Sequence, residues 1–358
     1  MKTRLIYLGT RGGGAEIFRE LRLASRELEY LHEFEFVRSD GLQLCDNDFP
    51  ISRSDRVLPS LRTILMKPWN FLLFVYELLQ LTKRSKCEKN IFLMPSPLDY
   101  FFFKVLKLKK QESFFLIHDA APHPGDFWPR KSSINWRLRK ADGVIFLSNF
   151  VFQSVKTSLK TKNYKILPHP PFGSFISHRR EAAKNLNHSS ELPILLFVGR
   201  IKKYKGIELL GQYKTQIQEK FHLVIAGEGT LPKGLEGVTT INRWLTETEI
   251  GDLMSSADIL IFPYTEASQS GLIPSAIALR KRLIVAEVGG LSEQIRGYRK
   301  SLTFNPSEPE TLLLILEKSL NRLKEDFTPQ KEEDDQNDHP TFSNFLREIL
   351  EVSRSNSV

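Results

Sequence analysis

Cysteine is scarce in this chain: Cys45 and Cys87 are the two among 358 residues, and no Cys-x-x-Cys pair occurs. That argues against a secreted disulfide scaffold and for a reducing compartment. Long apolar runs are also missing. No segment reaches the ~18 consecutive apolar residues that a membrane span needs. The best candidate, Trp69–Leu81, is too short and is interrupted by Glu77. Near the start, Leu5-Ile6-Tyr7-Leu8 ends at Gly9, too short for the core of a signal peptide, so it reads as a first strand. The expectation is a protein that stays in the cytoplasm. There is no short-period repeat and no recognised nucleic-acid module, so nucleic acid is not an expected partner.

What is present is a soluble composition, 41% hydrophobic and 26% charged, with a net charge of +9. Such a balance points to an anionic partner: phosphate, a lipid headgroup or nucleic acid, the last being the one for which no module is visible. The length allows two domains with separate cores. Apolar runs alternate with helical patterns from Leu5–Leu8 through Phe34–Val37, Ile91–Met94, Phe114–Ile117, Val144–Leu147 and Tyr164–Leu167. A second series runs Ile194–Val198, Leu223–Ala226, Val238–Ile241, Ile259–Phe262, Leu283–Val285 and Leu302–Phe304. This alternation predicts parallel, doubly wound sheets with sites at the C-terminal strand ends. Between the series, Pro168-His169-Pro170-Pro171 opens a polar linker. The expected domains are 1–170, a linker at 171–191, a second domain at 192–329, and an acidic loop with a final helix at 330–358. In that helix Phe342, Phe345, Leu346, Ile349 and Leu350 form one apolar stripe that should pack on the body.

Chemistry is expected in the turns that follow strands. Gly199-Arg200, with Lys202, Lys203, Lys205 and Gly206, comes directly after Ile194–Val198. Arg200 can fork onto two phosphate oxygens and Lys205 adds a point charge, although a Lys-rich loop can also be merely solvated. Ala226-Gly227-Glu228-Gly229 ends the next strand; Glu228 is placed to meet a sugar or base edge, or the glycines simply make a tight turn. Glu266, Ser268, Ser270, Gly271 and Leu272 lead into a helix whose N-terminal N–H groups suit a diphosphate, while the two serines can equally act as caps. Gly12-Gly13-Gly14 follows the first strand and permits close backbone approach to a ligand. His118-Asp119 ends Phe114–Ile117, where an imidazole can exchange protons near neutral pH or serve a structural role; His123 and Asp126 follow in the loop. The stretches Arg62–Lys86 and Phe101–Lys110 interleave aromatics and leucines with cations. They read either as core helices with a solvated basic face or as helices that lie on an anionic membrane.

The set from residue 194 to 295 resembles the nucleotide-sugar domain of retaining GT-B glycosyltransferases of family 4. The resemblance rests on Gly199-Arg200 with Lys205-Gly206, Ala226-Gly227-Glu228-Gly229, Ala257-Asp258, Glu266–Leu272 and Gly289-Gly290-Leu291-Ser292-Glu293. Residues 1–170 match more loosely, through Gly12–Gly14, His118-Asp119 and Leu147-Ser148. The resemblance implies two Rossmann-like domains facing across a cleft, with a UDP- or GDP-sugar on the second. Arg200 and Lys205 would neutralise the diphosphate of the departing nucleotide without a divalent metal or any cofactor. Gly199, Ser268, Ser270, Gly271 and Leu272 would line the donor, Glu266 would touch the transferred sugar, and His118 would face it from the first domain. The acceptor would be a saccharide or a lipid-linked hydroxyl, in cell-surface polysaccharide or glycolipid synthesis.

One departure stands out. The family's second glutamate, which holds the nucleotide ribose, aligns with Ala276, and the preceding loop is one residue longer. Losing that acceptor costs roughly 1.5–3 kcal/mol of donor binding. Three outcomes follow: Ser275 substitutes, the ribose is held differently, or transfer is lost and the chain is a non-catalytic partner of another transferase. An epimerase or phosphorylase on the same fold is a further reading.

Overall fold

The computed structural model describes residues 2–29, 32–42, 55–85, 87–122, 129–176, 192–325 and 340–352. Cys45, His123, Asp126, most of the expected linker and the acidic stretch 330–339 lie outside the described residues. The chain divides into two units: the segment before residue 170 together with the final helix forms unit 1, and the segment from Pro170 onward forms unit 2.

Among the described residues, unit 1 is built on seven parallel strands: β1 (Lys2–Tyr7), β2 (Glu33–Ser39), β3 (Asp55–Leu58), β4 (Lys89–Phe92), β5 (Glu112–Ile117), β6 (Gly143–Phe146) and β7 (Tyr164–Ile166), in the order β3-β2-β1-β4-β5-β6-β7. Its helices include α1 (Gly13–Arg26), α2 (Leu61–Met66), α3 (Asn70–Arg84) and α4 (Asp99–Leu108). Strands covered on both faces read as continuous apolar runs, which is why the inner strands are visible in the sequence. Edge strand β3 is the exception. Its residues Asp55, Arg56 and Val57 are not buried, so no apolar run marks it. It is held by its pairing with β2, from Phe36↔Asp55 to Ser39↔Leu58, and by the ion pair from Arg22 on α1 to Asp55 at 2.6 Å.

β1 also begins earlier than its apolar run, because Arg4 is fully buried. Its guanidinium bonds Glu35 on β2 at 2.7 Å and Asn90 on β4 at 2.6 Å, and so joins three neighbouring strands. A buried charge is tolerated only when paired and hydrogen-bonded in this way. The helix Phe342–Glu351 buries its predicted stripe, Phe342, Phe345, Leu346, Ile349 and Leu350, against α1. Lys89 donates to the Leu350 carbonyl, and Lys165 reaches Glu348 at 2.7 Å and Glu351 at 3.0 Å.

Among the described residues, unit 2 has six parallel strands: β8 (Ile194–Val198), β9 (His222–Ala226), β10 (Thr239–Ile241), β11 (Ile259–Phe262), β12 (Arg282–Ala286) and β13 (Ser301–Phe304), ordered β10-β9-β8-β11-β12-β13. β8 is buried throughout and pairs with β9 from Ile194↔His222 to Val198↔Ala226. In each unit the strand order reverses beside the first strand, between β1 and β4 and between β8 and β11. A crevice at the strand ends forms where connections leave in opposite directions, and ligands of such sheets collect there. Among the described residues, no helix is long and apolar enough to cross a membrane.

Candidate functional site

The loops after β8 and β11 meet at the reversal point of unit 2. Thr265 N–H donates to the Tyr204 carbonyl at 2.9 Å, and this bond ties one loop to the other. The approach is so close that a Cβ at Gly206 would sit 1.7 Å from the Pro263 carbonyl oxygen, and Gly206 itself has φ 68°. A side chain there is excluded by both space and backbone conformation. The loop after β9 closes the group from the other side. Ile201 N–H donates to the Glu228 carbonyl at 2.9 Å, and a Cβ at Gly227 would lie 1.9 Å from the Gly199 oxygen.

On this frame Arg200 is exposed and makes no hydrogen bond or ion pair among the described residues. Its charge is felt by Tyr264. Lys205 lies half-buried, its Nζ 3.7 Å from the centre of the Tyr264 ring and 5.1 Å from that of Tyr204. A cation over a π face keeps its charge while losing some water. Burial pushes the Tyr264 phenol up to about 12, so it stays protonated at neutral pH. Its oxygen lies 3.4 Å from Ser270 Oγ.

Ser268 and Ser270 are buried and Glu266 is exposed. Gly271 precedes the helix Leu272–Ala278, and Leu272 Cδ1 lies 3.6 Å from where a Gly199 Cβ would be. The structure therefore brings together Gly199, Arg200, Lys205, Ser270, Gly271 and Leu272. Gly271, the residue at the head of this helix, has no side chain with which to cap it. Ser270 is clamped by Gln294, whose Oε1 accepts from Ser270 N–H at 2.8 Å and whose Nε2 donates to its carbonyl at 2.9 Å. Glu228 stands exposed on the neighbouring loop.

Two residues bear on the missing glutamate. Ser275 is fully buried, and its Oγ accepts the Phe172 N–H at 2.9 Å. That hydroxyl is engaged within unit 2. Ala276 is likewise fully buried.

Sequence reasoning missed Tyr204, Tyr264 and Gln294. An aromatic ring between two lysines, as in Lys203-Tyr204-Lys205, was a usable signal, because such a ring needs a surface to cover. Gln294 carried none, since its role depends on a contact across 24 residues.

In unit 1, Gly12 caps α1 with φ 90°. A Cβ at Gly14 would collide with Met94 Cγ at 2.4 Å, whereas one at Gly13 would meet nothing within 4 Å. Gly14 therefore serves helix packing, and Gly13 leaves open space. His118 at the end of β5 is buried, with Nε2 2.8 Å from the Leu93 carbonyl. A carbonyl only accepts, so Nε2 carries the proton. Burial holds the imidazole below its ordinary pKa, and the ring is neutral at pH 7. Among the described residues, no three His, Cys, Asp or Glu side chains gather as a cation would require.

With this geometry in view, residues 192–321 match the family described as Glycosyl transferases group 1. A Bacillus subtilis glycosyltransferase named for teichuronic acid biosynthesis, TuaC, is 24% identical over 135 residues, which is 37% of this chain and 34% of the relative's length. Matched segments thus span about a third of such relatives. Sucrose-phosphate synthase of Thermosynechococcus elongatus superposes with a TM-score of 0.69 at 16% identity, covering 97% of this chain and 93% of that one. HepE of Anabaena, solved with UDP-glucose, gives 0.68 at 13% identity, covering 98% and 94%. The protein has two parallel-sheet, Rossmann-like α/β units of the GT-B glycosyltransferase fold, and its residues 192–321 carry the glycosyl transferases group 1 match.

Proposed function

We propose that this chain is a glycosyltransferase that moves a sugar from a nucleoside-diphosphate sugar, held by unit 2, to a saccharide or lipid-linked hydroxyl taken by unit 1. The observation that carries the reading is the pair of loops after β8 and β11, tied by the Tyr204–Thr265 bond and presenting Arg200 and Lys205 at the reversal point of the sheet. Two cations on a rigid frame stabilise a diphosphate as negative charge develops on it, and no metal is needed for that step. Backbone N–H groups at Gly271 and Leu272 add donors to the same anion. The group match at 192–321 and the UDP-glucose bound to HepE support a nucleotide-sugar donor. The relative named for teichuronic acid synthesis supports a polysaccharide-type product.

Retention of anomeric configuration belongs to the same reading, with the acceptor hydroxyl attacking from the face the nucleotide leaves. Glu266 is the side chain that meets the transferred sugar. His118, neutral and with Nε2 engaged by Leu93, contributes an oriented ring rather than a proton from that nitrogen.

A panel of UDP-, GDP-, dTDP- and ADP-sugars tests the donor site through thermal stabilisation. One nucleotide should raise the melting temperature. Arg200→Ala should weaken its binding about 10- to 100-fold, as loss of charge-assisted hydrogen bonds implies, with the ligand-free melting temperature unchanged. Equal binding by wild type and variant would remove Arg200 from the site.

The buried Ala276 and the engaged Ser275 favour one alternative, a non-catalytic partner of another transferase. That reading expects no stabilisation by any sugar nucleotide. Sugar transfer by the purified chain alone would exclude it.

A further inference from the structure

Helix α3 is apolar on two sides. Phe74, Leu78 and Leu81 are buried in the core of unit 1 at helical spacing. The outer flank bears Leu72, Leu73, Tyr76 and Leu79, all exposed. Leu65 and Met66 at the end of α2 and Trp69 at the start of α3 extend it, and Leu65, Met66, Trp69 and Leu72 are each 67–73% exposed. Single exposed apolar side chains are ordinary on a protein surface, but a run over successive turns marks a partner. The surface continues onto α4, where Phe101 packs edge-on against Phe71 with centroids 4.9 Å apart. Tyr100 and Leu108 are exposed beside it.

Cations frame this face. Arg62, Lys67, Lys83 and Arg84 are exposed and make no side-chain hydrogen bond or ion pair among the described residues. Lys104, Lys109 and Lys110 stand exposed along and beyond α4, with Lys104 Nζ 4.7 Å from the Tyr100 ring centre. Between residues 61 and 84 the sole acidic side chain is Glu77.

We propose that the α2–α3–α4 face docks on a bilayer surface bearing anionic headgroups, with α3 lying parallel to the membrane plane. Leucines reach below the headgroups, Trp69, Tyr76 and Tyr100 sit at their level, and the lysines and arginines stay among the phosphates. A second copy of this chain is a poorer occupant. A two-fold contact through this face would set its unpaired cations against themselves. Docking needs no sugar nucleotide, so this surface stands or falls separately from the donor site.

The test is flotation of the full chain with vesicles of phosphatidylcholine alone and with about one-third phosphatidylglycerol added. Binding is expected to the anionic vesicles, with release at about 1 M salt, where screening is complete within ~3 Å. Trp69 emission should shift to the blue on binding, and this shift should vanish in Trp69→Phe. Leu72→Glu with Tyr76→Glu alters exposed positions, so the melting temperature should hold while binding is lost. Lys83→Glu with Arg84→Glu should weaken partitioning about tenfold or more. Undiminished binding by the first pair, equal binding to neutral vesicles, or none to anionic ones would overturn the proposal. A dimer in sedimentation equilibrium that Leu72→Glu with Tyr76→Glu dissociates would assign the face to a second copy and overturn it as well.

Discussion

The strand-end loops of the two units invite comparison, because both sheets reverse their order beside the first strand. In unit 2 the loops are fastened to each other by backbone bonds, and charge stands outward on Arg200. In unit 1 the titratable group at the corresponding level, His118, is folded inward and bonded to Leu93. The outward display in unit 1 is apolar and lies on α2 and α3 instead. One topology thus presents two chemistries: fixed positive charge at strand ends in one unit, greasy helix surface in the other. Topology sets where a site can be, and side chains set what it is for.

The largest effect expected is from Ala276→Glu. A carboxylate forced into that fully buried position should cost about 3 kcal/mol or more, read by denaturant unfolding. If the variant keeps wild-type stability and binds donor more tightly, the position opens toward ribose after all, and unit 2 is less tightly packed than it looks.

Gly206→Ala should follow, at about 2–4 kcal/mol, from positive-φ strain together with the collision at Pro263. Its counterpart in unit 1, Gly13→Ala, has open space and a helical first-turn position, and should stabilise by about 0.5–1 kcal/mol. Opposite signs in thermal unfolding would sharpen the contrast between a loop built for backbone contact and one left open. If Gly13→Ala also lowers transfer while stability rises, the open space is where a ligand comes close.

The smallest effects should appear on acidification, and they differ by unit. His118 has a folded pKa below its ordinary 6.5, so the unfolded chain takes up its proton first. Its contribution is complete above about pH 6.5 and is lost as pH falls from there to the folded value. Glu249 in unit 2 is held at about 2, chiefly by its hydrogen bonds from Arg243, so its contribution is intact above 4.5 and is lost between 4.5 and 2. Mild acid should therefore weaken unit 1 before unit 2. His118→Gln should flatten the dependence between pH 7 and 5, and Glu249→Gln should not. The same slope in both variants would detach His118 from the effect.

Much of the fold and of the donor-side loops is legible in the residues themselves. Inner parallel strands announce themselves as apolar runs, and Gly206 and Gly227 are required by carbonyl contacts that leave no room for a Cβ, so the turns they mark can be read as close approaches. Burial and partnership are not legible. Ser275 reads as an available hydroxyl until Phe172, 103 residues away, is seen to occupy it. β3 lacks a signature because an edge strand need not be apolar on both faces. The outward face of α3 is half legible: Arg62–Lys86 reads as a core helix or a membrane-lying one, because leucines and aromatics surround the helix and periodicity alone cannot say which side the core takes.

The helix Phe342–Glu351 has a consequence for synthesis. It comes after unit 2 in the sequence, yet Phe345, Leu346 and Ile349 are buried in unit 1 against α1. Every strand of unit 2 leaves the ribosome before unit 1 receives this last piece. Through that interval the flank of α1 is uncovered, and Lys89 and Lys165 await the helix that engages them. The unit translated first is thus the one completed last, and while unit 2 is being made the greasy flank of α1 is open to whatever chaperone attends the nascent chain.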